Sequence, residues 1–65
     1  MSKPNPDNPS FLTISELYGQ WHVNLMEYNS RADDYQIARS AQLASKHNAE
    51  VYAREWAKRD GLEIR

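Results

Sequence analysis

Apolar side chains recur at steps of three and four along the first half of the chain: Ile14, Leu17, Tyr18, Trp21, Leu25 and Tyr28. At 3.6 residues per turn these positions share one face, so the spacing predicts an amphipathic helix. Two signals mark its start. Thr13 stands as an N-cap with Glu16 three residues on, the capping-box spacing, and Leu12 and Leu17 hold the N′ and N4 positions of a hydrophobic staple. A first helix is therefore expected over about residues 13–29, with Gly19 interrupting it at a cost of about 1 kcal/mol relative to alanine.

A second stripe, Tyr35, Ala38, Ala41, Ser45, Ala49, Tyr52, Ala53 and Trp56, predicts a longer helix over about residues 31–60. Lys58 and Arg59 suit the negative end of its dipole, Gly61 suits a left-handed C′ residue, and Leu62 is placed to cover Trp56 or Ala57. No glycine or proline separates the two segments. Asn29, Ser30, Asp33 and Asp34 nevertheless supply a helix-ending residue, a cap and first-turn acids, which favours a reversal at Asn29–Ser30. The alternative is one long coiled-coil-like helix, since Ile14, Trp21, Tyr28, Tyr35, Gln42, Ala49 and Trp56 keep a seven-residue step. Polar Asn24, Arg31, Ser45 and Arg59 at the complementary positions weaken it. The expected fold is all-α: a helical hairpin over residues 13–65, ending in a short C-terminal tail.

Residues 1–12 read differently. All three prolines fall in the first ten residues, two of them in Asn-Pro pairs, so this segment is expected to be an extended arm. The chain has 65 residues and no cysteine. A chain of that size buries only about 60% of its unfolded surface. With disulfides and thiolate metal sites excluded, oligomerisation is the expected way to complete the core. No apolar run approaches a membrane span, and the start lacks the pattern of a signal peptide, so a soluble, cytoplasmic protein with no membrane partner is expected.

Net charge is −1 but unevenly spread. Residues 1–34 carry two basic side chains against five acidic ones, and residues 35–65 carry six against four. A helix bearing Arg39, Lys46, Arg54, Lys58 and Arg59 could lie in a nucleic-acid groove, yet the interleaved Glu50, Glu55 and Asp60 argue against a phosphate footprint. His22 and His47 lack metal-ligand spacing, and Ser40 or Ser45 beside His47 on one helix would have no oxyanion donors. No catalytic, cofactor or metal residue is assigned. The small-residue seam of the second helix and the aromatic face of the first are the expected contact surfaces: Tyr18, Trp21, Tyr35, Ala38, Ala41, Ser45, Ala49, Tyr52, Ala53 and Trp56. The function expected is a non-enzymatic protein-binding or assembly module, such as an accessory or structural protein of a virus, phage or other multi-protein particle. A regulatory adaptor or inhibitor of a host enzyme is the alternative.

Overall fold

A computed structural model describes residues 8–65; residues 1–7 of the expected arm lie outside the described residues. From Phe11 to Leu43 the chain forms strands, which overturns the all-α expectation in both of its forms, the helical hairpin and the long coiled-coil-like helix. Strand β1 spans Phe11–Leu17, β2 Gln20–Asn29 and β3 Asp34–Leu43. A single helix, α1, follows over Lys46–Asp60, and a two-residue strand, β4, over Glu63–Ile64. The sheet order is β3-β2-β1-β4, antiparallel except for the β1–β4 pair. Phe11 and Leu12, placed by sequence in the arm, are the first residues of β1.

The apolar positions before residue 29 satisfy two periods at once. Read with period two, Leu12 and Ile14 alternate with Thr13, and Trp21, Val23 and Leu25 alternate with His22 and Asn24. Burial decides between the readings. Val23, absent from the helical stripe, is fully buried, whereas Leu17 and Tyr18, members of that stripe, are 57% and 94% exposed. Register completes the account, because Leu12 faces Leu25, Ile14 faces Val23, and Val23 faces Ala41 on its other side. These residues form the face of the sheet on which α1 lies.

The apparent first cap dissolves accordingly. Thr13 and Glu16 lie within β1, and Gly19 ends a two-residue hairpin loop rather than interrupting a helix. Tyr18 and Gly19 both have positive φ, 53° and 76°, the requirement of a type I′ turn, whose twist matches that of the strands it joins. The chain does reverse after Asn29, but between strands: Ser30–Asp33 is a four-residue loop, with the Asn29 side chain accepting from the Arg31 N–H. Residues 34–43, rich in alanine, glutamine and arginine, are held as a strand by pairing along the whole of β2.

Helix α1 begins later than residue 31. Ser45 has extended backbone and its hydroxyl accepts from the Asn48 N–H. At the other end Gly61 adopts φ 67°, and the Leu62 N–H reaches the Ala57 carbonyl at 2.9 Å. Leu62 packs on the core, and the Arg65 N–H then meets the Leu12 carbonyl, tying the C-terminus to β1. The core consists of Leu12, Val23, Ala49, Ala53 and Trp56, flanked by Ile14, Trp21, Leu25 and Leu43. Alanines at 49 and 53 let the helix backbone approach the sheet closely, while Trp56 fills the wider space and its indole N–H donates to Asp60 at 2.9 Å. No helix among the described residues is long and apolar enough to cross a membrane.

Candidate functional site

With α1 on one face, the opposite face of the sheet is open. Alternation along the three long strands places Phe11, Thr13, Ser15, Leu17, Gln20, His22, Asn24, Met26, Tyr28, Tyr35, Ile37, Ser40 and Gln42 on it. None of these is a lysine, arginine, aspartate or glutamate. Its centre is a hydrogen-bonded cluster around Asn24, which is only 7% exposed. The Asn24 amide donates to Thr13 Oγ1 and Ser15 Oγ at 3.3 and 3.0 Å, and the Ser40 hydroxyl donates to Asn24 Oδ1 at 2.8 Å. One side chain thus ties together all three strands.

The end of the face near the β2–β3 loop is aromatic. Phe11 meets Tyr35 edge-on with centroids 4.8 Å apart, and Tyr35 meets Tyr28 at 5.7 Å. The Arg65 guanidinium lies over the Phe11 ring at 4.3 Å, the Tyr35 hydroxyl donates to the Pro9 carbonyl, and the Tyr28 hydroxyl donates to Asp33. That bond, with partial desolvation and the charges of Asp33 and Asp34, holds the Tyr28 phenol above its ordinary pKa of 10.0.

The two sheet edges are unequal. One is covered by β4 beside Phe11 and Leu12, which leaves the five-residue stretch Thr13–Leu17 of β1 without a strand on that side among the described residues. The other is β3 along all ten of its residues. The two-residue β1–β2 loop makes Leu17 and Gln20 a hydrogen-bonded pair, and alternation then points the backbone of Trp21, Val23 and Leu25 toward Leu43, Ala41 and Arg39. The backbone groups of Tyr35, Ile37, Ser40 and Gln42 therefore point out of the sheet. Gln36 to Ser40 are all exposed, Ile37 by 59%, and a bulge at Ala38 steps the register between Leu25 and Met26.

The ten residues expected at a contact surface are dispersed. Ala49, Ala53 and Trp56 are enclosed in the chain's own core, so the small-residue seam docks on the sheet rather than on another helix. Trp21 is half-buried against that core with the Lys46 ammonium 6.0 Å from its ring, Ala41 lies on the helix side of β3, and Ser45 is the N-cap. Tyr52 is exposed on a flank of α1, its ring 5.8 Å from Trp56. Tyr18 projects from the hairpin tip. Tyr35 and Ala38 lie on β3, together with Ala41. Sequence reasoning left Ile37, Ser40 and Gln42 out of the expected contact set, reading them as helical positions, although alternating apolar and polar positions could have raised a strand there.

Among the described residues no group of three histidine, aspartate or glutamate side chains is placed to hold a metal ion. Compared with models of known families, with curated proteins and with solved structures, the chain shows no significant match to any.

Proposed function

We propose that this chain is a non-enzymatic protein-binding module whose contact surface is the β3 edge together with the adjoining part of the open face. The observation that carries the reading is β3 itself: a ten-residue edge strand with outward backbone donors and acceptors and an exposed Ile37. An edge of this kind is a ready template for strand addition, in which main-chain bonds supply affinity and alternate side chains supply selectivity. The uncharged side chains of the open face also favour a protein over nucleic acid, whose phosphates call for a cationic surface. The cysteine-free sequence suits a reducing compartment such as the cytoplasm, or a particle assembled there. Within this reading the chain serves either as an assembly component, for example of a virus or phage particle, or as an adaptor on an enzyme.

Site-specific photo-crosslinking tests the surface. A photoreactive residue at Ile37 or Gln42 is expected to give discrete adducts in cells of origin, while one at Arg54 or Lys58, in the second half of the helix, gives none. Equal labelling at all four positions, or none at the edge, would overturn the reading. The mass of the captured protein separates assembly from regulation.

A further inference from the structure

The edge also indicates what occupies it. We propose that β3 pairs with β3 of a second copy, antiparallel about a two-fold axis at Ser40, so that two sheets become one. This rests on the reading of β3 as a protein-binding edge and adds the partner's identity.

Geometry first restricts the register. With the axis at Ser40, Ser40 faces the partner's Ser40, and Gln42 faces the partner's Ile37 once the bulge residue Ala38 is allowed for. Each of these residues points its backbone groups outward, so every such group between Ile37 and Gln42 finds a mate. Side-chain parity holds as well, since Ile37, Ser40 and Gln42 share the open face while Arg39 and Ala41 share the helix side. An axis at Arg39 would oppose two guanidinium groups. Moving it to Ala41 would carry Ile37 past the partner's Leu43, where β3 ends.

Charge then favours a second copy over other strands. Helix α1 has no acidic residue in its first turn and opens with Lys46, the wrong sign for the positive end of its dipole. The start of β3 is the reverse: Asp33 and Asp34 stand together. Among the described residues the ion pairs join Arg59 to Asp60 and Arg65 to Glu63, and none of them involves Asp33, Asp34 or Lys46. Counted outward from Ser40, Asp34 comes level with the partner's Ser45 and Asp33 with the partner's Lys46. Asp34 pairs with Asn29 on the helix side of the sheet, the side from which α1 rises. The two-fold axis repeats the match, placing an acidic turn against a basic helix start at both ends. Bulges and inward charges often guard an edge against pairing. Here the bulge residue Ala38 lies just inside the end of the paired segment, between Ile37 and Arg39, and Arg39 faces the partner's Ala41.

Analytical ultracentrifugation over a wide concentration range tests the dimer with three samples: Asp34→Lys, Lys46→Asp and their mixture. Wild type is expected to show a monomer–dimer equilibrium that weakens with added salt. Lys46→Asp sets an acid against Asp33 and Asp34 at both ends, and Asp34→Lys cancels the charge of the acidic turn and brings a second cation up to Lys46; either should raise the dissociation constant about tenfold, or about 1.4 kcal/mol. An equimolar mixture restores opposite charges at both ends and should recover the wild-type value, which misfolded chains could not do. Wild type at single-chain mass throughout, or variants that associate as wild type does, would overturn the second copy. In that event Ile37 crosslinks to another protein leave the protein-binding reading standing, and their absence removes both.

Discussion

Asn24 shows how much one side chain can settle. It occupies the centre of the only long strand with neighbours on both sides along its length, and its amide satisfies hydroxyls from both of them. Such a cluster favours the observed register, because a one-residue slip would send Asn24 into the apolar face beside Leu12 and Trp56 and turn Val23 out of it. Tyr18 shows the opposite economy: a tyrosine at φ 53° gains no burial in return for a conformation that bulky residues seldom adopt. Tyr28 makes a testable contribution. Its pKa is higher folded than unfolded, so the bond to Asp33 adds stability that is fully present below about pH 10 and lost as pH rises through the folded value. Tyr28→Phe is therefore expected to flatten the alkaline fall in stability, measured by denaturant midpoints from pH 8 to 11. An unchanged slope would mean that the phenol does not titrate in contact with Asp33.

At the scale of elements, the first and last thirds of the chain behaved differently as text. The end of α1 was legible because its signals are local: Lys58, Arg59, Gly61 and Leu62 act within a single turn, and Gly61 does take the left-handed conformation. The start of β1 imitates an equally local signal, Thr13 with Glu16, and only pairing reveals that it has another use. Thr13→Val separates the two roles. A helix N-cap would lose about 1 kcal/mol. A β-branched residue on an exposed strand face should leave stability within about 0.5 kcal/mol of wild type, because valine fits the pleat and Ser15 still accepts from Asn24. Thermal or urea melts decide it, and a loss near the larger figure would contradict the strand.

For the whole molecule the governing fact is a small core closed by one helix. Ala49 is fully buried against the sheet, so Ala49→Glu is expected to unfold the chain, forcing a charge where only a methyl group fits. Loss of amide dispersion in a proton NMR spectrum would show it, and a native spectrum would place Ala49 at the surface. Part of the candidate site was readable: Tyr35 and Ala38 were singled out, and the reversal after Asn29 was located, since loops and caps are written in neighbouring residues. The binding edge was not, because an edge exists only relative to a sheet. The sequence by itself favoured a reversal after Asn29, marked where α1 ends, and indicated that alanines and a tryptophan would line a helix docking face. Tertiary structure alone decided that residues 11–43 are strands, and hence what that face docks against. The physical reason is distance along the chain: a helix satisfies its backbone within four residues, whereas a strand satisfies its own only by meeting another strand, as β3 meets β2 and β1 meets β2 and β4.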